Sequence, residues 1–385
     1  MNATLNKIHV WMPNLFTFEG GIQAYSANFL RALQALLPNA NYSVFSMHDR
    51  SATSPDSHPF NRQTRFHCYG KVPERIRRFT YAAQLVSYGV IERPNLIITT
   101  HLNFAPVARL IKRLVHIPYW VSAHGIEAWE ITNPRLQSAL QSADRILPVS
   151  DYTRSRLLKE QTLAFNKVQL LPNTFDASRF CIAPRPEYLL ERYKLKLDQP
   201  VILTIGRLVS AESYKGYDNI LRALPGIIQA HPTVHYILAG KGDDQPRINA
   251  LVEQLNLQEY VTLTGFIPDS ELSDHYNLCD VFAMPSKGEG FGIVYLEAMA
   301  CGKPALGGNQ DGATGALCDG KLGALVNPDD TAEIANVLNN ILQKTFPNPL
   351  MYQPEKLRQT VIEHFGFEKF QQTLRCHLNE FAHAD

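Results

Sequence analysis

The stretch MPSKGEGFGIVYLEAMACGKP, residues 284–304, decides how this chain is to be read. Its glycines at 288, 290 and 292 permit backbone conformations closed to other residues. The IVYLEAMA that follows has the composition of a helix, and Cys301-Gly302 with Pro304 just beyond marks its end. A strand, VFAMPS, precedes the glycines, so the segment is a strand feeding a helix N-terminus through a glycine loop. Such a terminus offers unpaired N–H groups and about half a positive charge, which suits a diphosphate. Glu289 lies in the loop and Glu297 about a turn and a half into the helix, where side chains lean back toward the N-terminus. Both carboxylates can therefore face a ligand seated there and accept hydrogen bonds from sugar hydroxyls. A capping glutamate beside a surface glutamate would show the same spacing.

Working outward, short apolar runs bounded by turn residues alternate with longer helical patterns, the signature of βαβ units around parallel sheets. KIHVWM, NLIITTH, YWVSAHG and RILPVS read as strands in the first half, and VILTIGR, VHYILAG, VTLTGF and VFAMPS in the second. Two series, in a chain of 385 residues, predict two α/β domains of doubly wound, Rossmann-like parallel sheets facing across a cleft. The irregular region from Thr174 to Pro200, with prolines at 184, 186 and 200, carries the junction. The expected domains are 1–175 and 176–367. The tail GFEKFQQTLRCHLNEF has apolar residues at helical spacing, and a helix over about 368–385 is expected to pack back on the first domain.

With 45% hydrophobic and 19% charged residues the chain reads as globular rather than disordered or fibrous. It shows no secretory leader and no run long enough to span a membrane, which predicts a cytoplasmic protein whose membrane contact, if any, is peripheral. The six cysteines are scattered without metal-site spacing, and Pro232 between His231 and His235 denies those two the helix that would pair them on a metal. The net charge of +1 hides an asymmetry. Residues 1–175 hold 19 Lys+Arg against 10 Asp+Glu, or +9, and the remainder 18 against 26, or −8. A basic half suggests an anionic partner. KVPERIRRFTYAAQLVSYGV, from Lys71, interleaves Arg75, Arg77 and Arg78 with apolar residues, as an anionic membrane surface or a solvated helix face would require.

The Glu-x7-Glu motif in this glycine setting resembles glycosyltransferase family 4, whose members have the GT-B fold and retain anomeric configuration. The resemblance extends over most of the chain. It implies that Glu297 binds the ribose and Glu289 the donor hexose, while Gly290, Phe291, Gly292 and Ile293 lie along the sugar and phosphates. TIGRLVSAESYKGYDNIL is similar to the family pattern in which an arginine and a lysine grip the pyrophosphate, here Arg207 and Lys215. Two fixed cations and a helix terminus would stabilise the departing nucleoside diphosphate. TFEGGIQAYSANFLRAL lacks the full dinucleotide fingerprint; the resemblance implies that Gly20-Gly21 lets the backbone approach the donor phosphates, and a tight turn is the plainer reading. SAHGIEAWE carries His124, the family's sugar-contacting histidine, with Glu127 and Trp129 as acceptor-side candidates. Gly240 at a strand end contributes to the donor site, and Phe266 and Ile267 stand where family members line the base pocket. The HGIEAW wording resembles the bacterial, including cyanobacterial, exopolysaccharide branch.

The expectation is a retaining hexosyltransferase acting on a saccharide or lipid-linked saccharide. Its donor would be a nucleotide sugar, UDP-glucose or another UDP-hexose first and GDP-mannose second, and it would need neither cofactor nor metal and would bind no nucleic acid. No residue announces itself as a covalent nucleophile, which favours a front-face mechanism. A nicotinamide-dependent oxidoreductase would need the complete glycine fingerprint, an epimerase would convert donor without acceptor, and a noncatalytic sugar-binding protein would bind without transfer.

Overall fold

The computed structural model describes residues 5–16, 20–52 and 60–383. Two compact units emerge, one of residues 1–174 with 367–385 and the other of residues 175–366.

In the first unit six strands, β1 (Lys7–Met12), β2 (Asn41–Ser46), β3 (Thr64–Cys68), β4 (Leu96–Thr99), β5 (Tyr119–Ala123) and β6 (Arg145–Pro148), form one sheet in the order β3-β2-β1-β4-β5-β6. Every pairing is parallel. Its helices are α1 (Gly21–Leu36), α2 (Glu74–Glu92), α3 (Ala105–Val115), α4 (Pro134–Ser142) and α5 (Asp151–Glu160). The second unit repeats the plan with β7 (Val201–Ile205), β8 (His235–Ala239), β9 (Val261–Gly265), β10 (Val281–Met284), β11 (Ala305–Gly308) and β12 (Ala324–Val326), ordered β12-β11-β10-β7-β8-β9 and again parallel throughout. Around it lie α6 (Glu187–Tyr193), α7 (Tyr217–Ala230), α8 (Gln245–Gln254), α9 (Leu272–Leu278), α10 (Ile293–Ala300), α11 (Ala313–Ala316), α12 (Thr331–Leu342) and α13 (Pro354–Phe365); the last helix, α14 (Phe367–Ala382), belongs to the first unit.

Strands covered by helices on both faces must be apolar throughout, and the central strands β4, β5, β8 and β10 are buried along their whole length. This is why their runs were readable. Four strands were not. NYSVFS and TRFHC mix polar residues into the pattern, ALGG carries two glycines, and β12 has three residues. β3 and β12 sit at sheet edges, where less apolar surface must be covered, whereas β2 and β11 beside them are largely buried and were hidden by their polar residues and glycines. In each sheet the chain reverses direction of growth between neighbouring strands, at β1/β4 and at β7/β10, and open parallel sheets bind ligands outside the carboxyl ends of the strands at such points.

Helix α14 packs along α1, with Phe370, Leu374 and Leu378 buried. Phe370 meets the rings of Tyr25 and Phe29 edge-on at 6.1 and 6.2 Å. Replacing it by alanine should cost the first unit about 3–5 kcal/mol in denaturant titrations, because a cavity opens against α1. A loss below about 1 kcal/mol would show that α14 is dispensable to that core.

Candidate functional site

In the second unit the residues singled out from sequence stand at or after the carboxyl ends of β7, β8, β9 and β10. Arg207 follows β7, with more than half of its side chain exposed, and its guanidinium contacts the Glu212 carboxylate. A turn of 3-10 helix, Ser210–Lys215, leads to Gly216, whose φ of +81° delivers the chain into α7. A Cβ at Gly216 would stand 2.0 Å from the Pro285 carbonyl oxygen, so only glycine lets this turn reach the loop after β10. The approach is fastened by the Lys287 N–H donating to the Tyr214 carbonyl at 2.9 Å. It carries Lys215 to Glu289, Nζ to Oε2 at 3.2 Å, with the Glu212 carboxylate at 3.8 Å on the same ammonium. Burial alone would depress the Lys215 pKa, but Glu289, aided by Tyr214 and Glu212, reverses the shift and holds it above the usual lysine value. Lys215 is therefore a buried cation fixed in place at neutral pH.

Glu289 is held from behind. Its N–H donates to Asp311 Oδ2 at 2.7 Å, Ser286 Oγ donates to the same oxygen at 2.7 Å, and the Ala313 N–H donates to Oδ1 at 2.9 Å. The Asp311 side chain is fully buried, and burial pushes its pKa up to about 7. Gly312 completes the clasp, since a Cβ there would lie 1.9 Å from the Gly290 carbonyl oxygen. Gly292, at φ +88°, turns the chain into α10; a Cβ would stand 2.4 Å from the Tyr295 ring and 3.3 Å from Glu289 Cγ. Phe291 points inward, its ring against Phe365 at 5.5 Å, and the residue as a whole is buried. Ile293 opens α10 and is half-buried. Glu297 is the fifth residue of that helix, and its Oε2 accepts from the Tyr276 hydroxyl at 2.7 Å. The carboxyl lies deep but keeps a partial opening to solvent, and burial raises its pKa to about 7.

Gly240, at φ +144°, is required because a Cβ would sit 1.8 Å from the Gly206 carbonyl oxygen; it presses the loop after β8 onto the one after β7. The Phe266 ring is 53% exposed, with Lys241 Nζ 4.9 Å from its centroid, a flat apolar surface open to stacking. Ile267 beside it is half-buried.

In the first unit, His124 follows β5 and is largely buried. Its Nε2 lies 2.7 Å from the Thr100 carbonyl oxygen, which can only accept, so Nε2 carries the proton and Nδ1 is bare. Burial lowers its pKa to about 4, and Tyr25 packs edge-on at 4.8 Å. His124 can thus offer a neutral hydrogen-bonding atom and no charge. Glu127 turns back on the same residue, accepting its N–H at 2.6 Å, and Trp129 donates from Nε1 to Thr153 Oγ1 at 3.2 Å while Arg156 lies over its ring. Both acceptor-side candidates thus have local structural partners. Gly20 caps α1 in an extended conformation, and among the described residues no atom lies within 4 Å of a Cβ built at Gly21, at the N-terminus of this 16-residue helix. Thr17, Phe18 and Glu19 of the same motif lie outside the described residues.

Three participants escaped the sequence reading: Glu212, Asp311 and Tyr276. Glu212 stands in the same SAESYKG segment as Lys215, and the acidic residue between the two cations was its available signal. Asp311 and Tyr276 act on residues 22 and 21 positions away, and no local pattern announces such a contact.

Two family models lie in succession along the chain, Glycosyltransferase Family 4 over residues 19–179 and Glycosyl transferases group 1 over residues 189–361. The chain belongs to the family 4 glycosyltransferases. Among curated relatives, the GDP-mannose-dependent alpha-(1-6)-phosphatidylinositol monomannoside mannosyltransferase of Mycolicibacterium smegmatis is 36% identical over 238 residues, which cover 57% of this chain and 60% of that protein. The 2-deoxystreptamine glucosyltransferase of Streptomyces kanamyceticus is 28% identical over 273 residues, 66% of this chain and 68% of its own. The chain thus spans about 60% of the length of the first of these relatives. The fold matches Anabaena HepE, solved with UDP, at a TM-score of 0.77 and 18% identity over 97% of this chain and 100% of that one. It also matches the sucrose-phosphate synthase of Thermosynechococcus elongatus at 0.79 and 21%, over 98% and 100%. The two parallel six-stranded sheets with flanking helices are those of the GT-B architecture.

The raised carboxyl of Glu297 gives a pH signature. A group whose pKa is higher folded than unfolded contributes stability that is complete below the unfolded value, near 4.5, and is lost as pH rises through the folded value, about 7. Glutamine does not titrate, so Glu297→Gln should gain about 1–3 kcal/mol of stability relative to the unsubstituted protein between about pH 5 and 8. Parallel denaturation curves at the two pH values, unchanged in their difference, would place Glu297 in an ordinary solvated setting.

Proposed function

We propose that this chain transfers a hexose, with retention, from a nucleoside-diphosphate sugar to a hydroxyl of a saccharide or lipid-linked saccharide. The observation that carries the reading is the fixed pair Lys215–Glu289 beside the glycine-capped start of α10: a cation for a phosphate joined to an acceptor for a sugar hydroxyl. In this reading Arg207 and Lys215 hold the diphosphate, Glu289 the hexose, Glu297 the ribose, and the exposed Phe266 ring stacks on the base. The leaving diphosphate gathers negative charge, and a buried cation that needs no rearrangement stabilises it more than water could. A phosphate oxygen of the leaving group takes the proton of the acceptor hydroxyl on the same face of the sugar. His124 contributes a neutral hydrogen-bonding contact to the sugar.

A UDP-hexose is the first reading of the donor. The second, GDP-mannose, is favoured by the 36% identical relative named as GDP-mannose-dependent. Calorimetric titration with UDP-glucose and GDP-mannose separates them, since the preferred donor alone should bind tightly and support turnover. The reaction is read as metal-independent, with the two cations in the metal's place; activity removed by EDTA and restored by manganese would contradict this. Peripheral contact with anionic membrane is read from α2, which exposes Ile76 and Phe79 beside Arg75 and Arg78. Flotation with vesicles that ignores anionic lipid content would exclude it.

The two glutamates should fail differently. Glu297→Gln exchanges a charged acceptor for a neutral one on a ribose shared by free nucleotide and donor, so it should weaken both by about 10- to 150-fold, or about 1.5–3 kcal/mol. Glu289→Gln should leave UDP or GDP binding nearly unchanged while lowering turnover severely. Equal losses of nucleotide affinity would assign Glu289 wrongly, and unchanged activity in both would remove the motif from the active site.

A further inference from the structure

Cys181 and Cys301 are remote in sequence, yet they stand on neighbouring backbone within the second unit. Arg358 of α13 joins the residues that precede them. Its Nη1 donates both to the Phe180 carbonyl and to the Ala300 carbonyl, and its Nη2 donates to the Ala177 carbonyl at 2.9 Å. The residues that follow them also meet, since a Cβ built at Gly302 would stand 3.1 Å from Ile182 Cγ1. Helix α9 reaches both cysteines from positions one turn apart. Its Asn277 side chain donates to the Cys181 carbonyl at 2.9 Å and accepts the Ala183 N–H at 3.0 Å, while Ser273 Oγ lies 3.7 Å from Cys301 Sγ. Residues 180–182 and 300–302 therefore run side by side, fastened before, after and across the cysteines. A disulfide spans Cα atoms about 4.4–6.8 Å apart, and fastening of this kind brings two segments to a spacing of that order.

The two thiols differ in setting. Cys181 is exposed, whereas Cys301 is fully buried at the C-cap of α10. Burial pushes the Cys301 thiol up to about 11, so it stays protonated at pH 7 and does not itself meet an oxidant in solution. An exposed thiol that meets the oxidant, next to a second thiol that resolves it, is the arrangement of a two-cysteine redox couple. The remaining cysteines offer no such pairing with Cys181. Cys279 is buried and donates its Sγ–H to the Tyr276 carbonyl at 3.2 Å, and Cys376, the other exposed cysteine, belongs to α14 of the first unit. The position of the couple gives it a consequence. A bridge from 181 to 301 closes a loop of about 120 residues, and Arg207, Lys215, Glu289 and Glu297 all lie inside that loop. Cys301 also directly ends the helix that presents Glu297, its N–H donating to the Glu297 carbonyl at 3.1 Å.

We propose that Cys181 and Cys301 form a hydroperoxide-responsive disulfide that ties the first residues of the second unit to the end of α10 and so locks that unit against unfolding. The Cys181 sulfur attacks the peroxide and the O–O bond breaks, giving a sulfenic acid on Cys181 and one molecule of alcohol, or of water when the oxidant is hydrogen peroxide. The Cys301 sulfur then displaces hydroxide from the Cys181 sulfur, and the Cys301 proton leaves with it as water. Two thiols have lost two electrons and two hydrogens, and the peroxide has taken them up. Hydrogen peroxide added to the full chain tests the step. After blocking with N-ethylmaleimide and digestion without reductant, mass spectrometry should find the Cys181 and Cys301 peptides joined and two of the six thiols lost, both restored by dithiothreitol. Oxidation should raise the midpoint of thermal unfolding by about 4–10 °C, because the closed loop restricts the unfolded chain. Cys181→Ser, a conservative change at an exposed position, should remove both the linked peptides and the rise, whereas Cys376→Ser should keep both. UDP and GDP titrations of the reduced Cys181→Ser protein should match those of the unsubstituted chain, which separates the bridge from the donor site. Cys181 oxidised alone, Cys181 joined to Cys376 or to a second copy of the chain, or an unchanged midpoint in fully bridged protein overturns the proposal.

Discussion

One buried carboxylate organises the second unit's site. Asp311 collects the Glu289 N–H, the Ser286 hydroxyl and the Ala313 N–H, so the loop after β10 and the turn after β11 become one rigid piece. A carboxylate without water around it is costly unless hydrogen bonds compensate, and three donors here do so incompletely, as the pKa raised to about 7 records. The cost is balanced by what the clasp fixes, which is the position of Glu289. Glycines at 216, 292 and 312 make the clasp possible, because side chains there would collide with the Pro285 carbonyl, the Tyr295 ring and the Gly290 carbonyl.

On that rigid piece the charges are arranged to cancel. Arg207 faces Glu212, and Lys215 faces Glu289 with Glu212 behind. Two cations and two carboxylates form a neutral cluster, which keeps a partly buried lysine charged without bulk water.

The first unit follows a different electrostatic logic. Its central histidine is neutral because burial outweighs its hydrogen bond to the Thr100 carbonyl. Its Nε2 proton is committed to that carbonyl, which leaves Nδ1 as an uncharged acceptor.

The sequence by itself determined the elements whose cause is local. Fully buried parallel strands must be apolar along their length, so VILTI and YWVSA were legible. A glycine loop before a helix, Glu289 and Glu297 at their spacing, and Arg207 and Lys215 ahead of Gly216 all declare themselves within short windows. The edge strands TRFHC and ALV did not, because less burial leaves less constraint on composition, and NYSVFS and ALGG did not, because polar residues or glycines interrupt their apolar runs although most of their positions are buried. Tertiary structure alone decided the partners. Tyr276 on Glu297, Asp311 behind Glu289 and Lys215 on Glu289 depend on which loops the sheet order brings side by side. It likewise set the protonation of Glu297 and His124, since a pKa answers to burial and to neighbours distant in sequence, and neither is written at the residue itself.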